Sequence, residues 1–140
     1  MFLGGCVTWN ASKQDTVTTS TTEAELLALA STAKESIFLG RLLSQLNARL
    51  EAPIVIQCDN KQTILLLTRD VATLKTKLRH VDVHNHWLRQ EYQRGTIEIV
   101  WCPTNDMKAD GFTKALVKQK FLPWRDSLNL VEIDFNQLNK

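Results

Sequence analysis

Three carboxylates stand at the joints of this 140-residue chain, where divalent-metal chemistry could be built. Glu25 falls early in a helical stretch, Asp59 closes a short apolar run, and Asp110 follows a Pro-Thr turn. In open α/β sheets, sites form beyond the carboxyl ends of the strands. Three acids converging there would suit Mg²⁺, or Mn²⁺, because such ions take a few carboxylates together with water and phosphate oxygens. Each acid also has an ordinary structural role open to it. Glu25 fits a solvated helix face, Asp59 the cap of the helix that follows it, and Asp110 an exposed helix.

The elements that would position these acids can be read from pattern. Phe2 to Trp9 and Thr16 to Thr19, rich in β-branched and aromatic residues, predict two strands. Ser20 with Glu23 forms a capping box, and Leu26, Ala30, Ala33 and Ile37 then repeat at helical spacing, predicting a helix to about Leu46. Ile54-Val55-Ile56 lacks alternation and predicts a central strand buried on both faces. Lys61 to Leu67 reads as helical, and a polar loop leads on to Lys75. Val81 to Gln93 reads as a second long helix, closed by Gly95. Thr96 to Cys102 alternates and predicts a strand. Thr104 or Asn105 is expected to cap a helix through Leu116, and Pro123 to begin a short final helix. The order implies an α/β fold with mixed strand direction. No linker or repeat interrupts it, so residues 1–130 are expected to form one domain and 131–140 a tail.

Composition narrows the classes. Hydrophobic residues make up 44% and charged residues 23%, ordinary for a globular domain. No apolar run approaches the ~18 residues needed to cross a bilayer, so no membrane partner is expected. Cys6, Cys58 and Cys102 are odd in number and show no C-x-x-C spacing, which argues against a disulfide framework or a structural zinc site and fits a reducing, intracellular compartment. The net charge of +2 is too small to imply a polyanionic partner. From Lys61 to Arg94, however, seven basic residues face three acidic ones, a bias that attracts phosphate. His80 and His84, four apart, could share a helix face as metal ligands. No third ligand stands at a matching spacing, so a structural or phosphate-contact role is expected.

Four words along the chain point further. Thr19-Ser20-Thr21-Thr22-Glu23-Ala24-Glu25 resembles the S-S-T-E-A-E stretch of the ribonuclease H domain of copia-type retrotransposon Pol polyproteins. Cys58-Asp59-Asn60-Lys61-Gln62-Thr63-Ile64 resembles its C-D-N-x-x-A-I stretch. Thr76 to Val83 resembles T-K-H-I-D-V, with Arg79 as an extra residue before His80. Pro103 to Asp110, followed by Phe112 to Leu116, resembles P-T-x-x-x-x-A-D-x-x-T-K-A-L. Each word is weak alone; four in order are specific.

The resemblance implies a ribonuclease H-like fold, a mixed central sheet with flanking helices. It implies metal-dependent hydrolysis of the RNA strand of RNA–DNA hybrids during reverse transcription, with Mg²⁺ as cofactor. Glu25, Asp59 and Asp110 match the family's second, third and fourth acids and would be the catalytic metal ligands. Asn60, Lys75, Lys77, Arg79 and His80 are the expected contacts to the hybrid. The upstream reverse transcriptase of the same polyprotein is the expected protein partner, in a cytoplasmic virus-like particle or the nucleus. The family's first acid lies in a D-A-D-W-type motif that has no match here. The sheet is therefore expected to lack its first central strand and the chain alone to be inactive. The competing expectation is an inert remnant that only binds nucleic acid or a protein.

Overall fold

The computed structural model describes residues 5–12, 20–48, 53–68 and 79–130. They fall into two compact units, one of Gln14–Asn105 and one joining Met1–Lys13 to Asp106–Lys140.

The larger unit begins with α1, Thr21–Gln45. Ser20 is extended (φ −146°, ψ 156°), and its hydroxyl accepts from the Glu23 amide at 3.2 Å, so the expected cap forms. Leu26, Leu29, Ala30, Ala33 and Ile37 make the buried stripe. The helix ends where the chain turns left-handed at Asn47 (φ 60°). The Ala48 amide then bonds the Leu43 carbonyl at 2.9 Å, and the Asn47 amide bonds that of Ser44 at 3.1 Å. These two bonds close the last turn in a Schellman motif.

Strand β1 is Ile54–Cys58 and helix α2 is Lys61–Thr68. Helix α3, Arg79–Gln93, and strand β2, Ile97–Trp101, follow. Gly95 (φ 70°) joins them through the same device as Asn47, with Thr96 N–H on Glu91 at 3.0 Å and Gly95 N–H on Tyr92 at 3.0 Å. The two strands pair in parallel, Ile54 opposite Ile97 and Cys58 opposite Trp101. Among the described residues they are the only sheet, so the mixed sheet expected from pattern is seen only in its parallel part.

The core is one cluster. Leu26, Leu29, Ala33 and Ile37 of α1 meet Ile56 and Cys58 of β1, Leu67 of α2, Leu88 of α3 and Ile97 and Ile99 of β2. Full burial of each large apolar side chain contributes roughly 1.5–3 kcal/mol. One expectation fails here. Val55 is 56% exposed and Gln57 is exposed, so β1 is buried on one face, not two. The helices pack on the Ile56–Cys58 side, and the period-two pleat turns Val55 away from them.

The smaller unit corrects three more expectations. The Gly5–Trp9 part of the first predicted strand is not a strand; Cys6 makes an isolated backbone bond to Leu128 at 3.3 Å. Pairing residue by residue with a neighbour is what defines a strand, and a single bridge does not supply it. The second, Thr16 to Thr19, lies outside the described residues, as do the tail 131–140 and the loop at Lys75.

The helix expected from Thr104 to Leu116 is broken into a 3₁₀ turn, Thr104–Asp106, and a single turn α4, Asp110–Thr113. Its amides reach back three residues: Asp110 to Met107, Gly111 to Lys108, Phe112 to Ala109. Ala109 at the cap position offers no side-chain acceptor, and the Trp124 indole N–H takes the Lys108 carbonyl at 2.8 Å. Helix α5, Lys118–Ser127, starts before Pro123 and contains it, so the proline withholds an amide from the Gln119 carbonyl. An aromatic chain packs this unit. Trp9 stacks on Phe112 at 5.9 Å, and Phe112 meets Trp124 edge-on at 5.1 Å.

Candidate functional site

Glu25 and Asp59 line one shallow depression of about 420 Å³, together with Asn60, Lys61 and Gln62. The local fold explains the meeting. Glu25 lies one turn inside α1, behind the buried Glu23 whose amide the Ser20 cap occupies. Asp59 follows directly on β1. The packing of α1 against β1 across the shared core brings the two carboxylates to the same opening.

Asp59 is not the cap of α2. That role falls to Asn60, whose Oδ1 accepts from the amides of Gln62 at 3.0 Å and Thr63 at 3.2 Å. Asp59 is thereby released from the structural role its position suggested. One of its oxygens, Oδ2, accepts instead from the Thr104 hydroxyl at 3.2 Å. With Oδ1 of Asn60 engaged, what that residue can offer a ligand is the Nδ2 amino group, a donor.

Cys58 sits at the base of the pair. Burial pushes its thiol above its ordinary 9.0, a backbone hydrogen bond at Asn60 pulls the other way, and the charges of Glu25 and Asp59 push it further up. The Cys58 thiol therefore stays protonated near neutral pH, which removes it as a nucleophile. Cys58 and Cys102 are buried, and Cys6 is half-buried. At the rim, the Lys61 ammonium lies 4.2 Å from the centroid of the Trp101 ring.

Asp110 belongs to the smaller unit. It opens α4, is partly exposed, and pairs with Lys114 one turn on. Among the described residues no group of three or more His, Cys, Asp or Glu is gathered to hold a metal. Lys75 and Lys77 lie outside the described residues. Arg79 and His80 open α3, and their side chains are not among those described. His84 Nδ1 lies 3.4 Å from the Lys34 ammonium, and His86 Nε2 3.1 Å from the Gln90 amide.

The donor set in the depression suits a hard cation. Two carboxylates beside open solvent match Mg²⁺, which binds through one or two carboxylates and retains several waters. Thr104, Lys61 and Trp101 joined this site without having been singled out for it. Sequence pattern points to Thr104 as a helix cap and to Lys61 as part of a basic stretch.

The architecture around Asp59 invites comparison with known proteins. The chain resembles a segment of retrovirus-related Pol polyproteins of plant transposons. It is 35% identical over 120 residues to the Pol polyprotein from transposon TNT 1-94 of Nicotiana tabacum. It is 31% and 30% identical over 127 residues to those from transposons RE1 and RE2 of Arabidopsis thaliana. These matches cover 86% and 91% of the chain but only 8–9% of each Pol polyprotein. No protein-family model and no solved structure matches the chain. Among the described residues no helix is long and apolar enough to cross a membrane.

Proposed function

We propose that this chain is the ribonuclease H segment of a copia-type retrotransposon Pol polyprotein, hydrolysing the RNA strand of an RNA–DNA hybrid with Mg²⁺ or Mn²⁺. The observation that carries the reading is the shared depression of Glu25 and Asp59, in a chain similar to Pol polyproteins. In this reading Glu25 and Asp59 hold the cation, and Asp110 is a catalytic acid by the resemblance of its Pro-Thr…Ala-Asp word alone. When bound, the cation polarises the scissile phosphate and lowers the pKa of its water. Thr104 fixes the rotation of the Asp59 carboxylate, and Asn60 donates to the hybrid. Lys75, Lys77, Arg79 and His80 contact its backbone, which is read by shape and 2′-hydroxyls. The partner is the reverse transcriptase of the same polyprotein, in an intracellular setting, a cytoplasmic virus-like particle or the nucleus.

The test is cleavage of a labelled hybrid by the chain joined to its upstream polyprotein segment. Cleavage that requires Mg²⁺ or Mn²⁺, and is lost in Glu25→Gln and Asp59→Asn, is expected. A folded protein that binds hybrid in a salt-dependent way yet cuts it with neither ion overturns the hydrolytic reading and leaves an inert nucleic-acid-binding segment.

A further inference from the structure

Lys61 and Trp101 form a contact that hydrolysis, as set out above, does not use. Lys61 opens α2 and lines the depression with Glu25 and Asp59. Trp101 ends β2 opposite Cys58 of β1. In a parallel pair, its ring and the Asp59 carboxylate therefore issue from the same end of the sheet. The ring is 49% exposed, so it is not a core group. Its face is instead occupied by the Lys61 ammonium, 4.2 Å from the centroid.

A lysine beside two carboxylates has an obvious alternative: it can swing onto them. Doing so would neutralise the charge that attracts a divalent cation and would withdraw the lysine from any phosphate. An exposed ion pair and an exposed cation–π contact are of similar worth. An aromatic face within reach thus competes on level terms for the ammonium, and in the structure the ring holds it.

We propose that Trp101 is a positioning residue that seats the Lys61 ammonium on the rim of the depression, off the carboxylates, leaving the acids to a divalent cation and the lysine to a phosphodiester. This rests on the reading of the depression as a hydrolytic site.

The test is Mn²⁺ binding by calorimetry to the full chain and to Trp101→Leu, Trp101→Phe, Lys61→Met and the double variant Trp101→Leu/Lys61→Met. Trp101→Leu weakens Mn²⁺ binding by about two- to fivefold, because the freed lysine falls onto the acids. Trp101→Phe, which keeps a ring, holds wild-type affinity. Lys61→Met does not weaken binding, and the double variant returns to the wild-type value. Lys61→Met also lowers the salt slope of hybrid binding by about one.

Wild-type affinity in Trp101→Leu overturns the proposal. So does a double variant as weak as Trp101→Leu, since loss of the ring would then act on structure alone. An unchanged salt slope in Lys61→Met removes the phosphodiester contact. A wild-type chain that binds no Mn²⁺ removes this inference and the hydrolytic reading together. The expected pattern in a protein that never cuts hybrid removes the hydrolytic reading and leaves the seating of Lys61 standing.

Discussion

The hydroxyl of Thr104 donates to Oδ2 of Asp59 across 3.2 Å, tying the end of β1 to the turn that follows β2. The bond orients a carboxylate that has no helix to cap. Thr104→Val keeps the shape and deletes the donor. Because the contact is exposed, the loss of stability stays under about 1 kcal/mol by urea unfolding. In the proposed reading, hybrid cleavage by the chain joined to its upstream polyprotein segment falls on the order of tenfold.

Asn60 combines a capping oxygen with a side-chain donor, and the two can be separated. Asn60→Ala removes both and costs about 1 kcal/mol of stability. Asn60→Ser restores the cap, since serine ranks with asparagine at that position, but supplies no amide. Unfolding midpoints for Asn60→Ser near wild type, with weakened hybrid binding, would show that the amide touches the hybrid. Binding equal to wild type would confine Asn60 to capping.

The Cys58 thiol is held up first by burial and then by the charges of Glu25 and Asp59. Its thiolate fraction at any pH below the ordinary 9.0 is therefore smaller than that of an unperturbed cysteine. Alkylation by iodoacetamide, followed by mass spectrometry, is expected to modify the half-buried Cys6 well before Cys58 from neutral pH upward. Equal rates at the two sites would contradict the burial described for β1.

Gly111 has no room for a side chain. A Cβ there would run into the indole of Trp124, the same ring whose N–H holds the Lys108 carbonyl. Gly111→Ala displaces that ring from Phe112 and costs roughly 1–3 kcal/mol, as overpacking does. Near-ultraviolet circular dichroism and tryptophan fluorescence would register the lost aromatic packing.

What could be read from the chain follows from how local each signal is. The Ser20 cap, the stripe of Leu26, Ala30, Ala33 and Ile37, and the closing Gly95 are local devices, and all appear as expected. The length of the Thr104–Leu116 segment was not legible, because the Lys108 carbonyl is claimed by Trp124, sixteen residues on. The two-sided burial expected of Ile54–Ile56 depended on neighbours that a run of apolar residues does not name. The choice between Asp59 and Asn60 as the α2 cap was equally hidden, since either residue type caps well. Glu25 and Asp59 were legible as acids, and their common opening needed α1 to pack on β1. The contacts of Asp59 with Thr104 and of Lys61 with Trp101 exist only once β2 lies beside β1.

That pairing has a kinetic side. Ile54 and Ile97 lie opposite one another although α2 and α3 intervene in the chain. Helical turns form on neighbouring residues, whereas joining these strands closes a long loop and waits on its entropy. The helices can exist before the loop closes; the seat for Lys61 and the tether on Asp59 cannot. Any nascent polypeptide carrying this segment thus gains the Asp59–Thr104 and Lys61–Trp101 contacts last, after Trp101 has been synthesised and brought home.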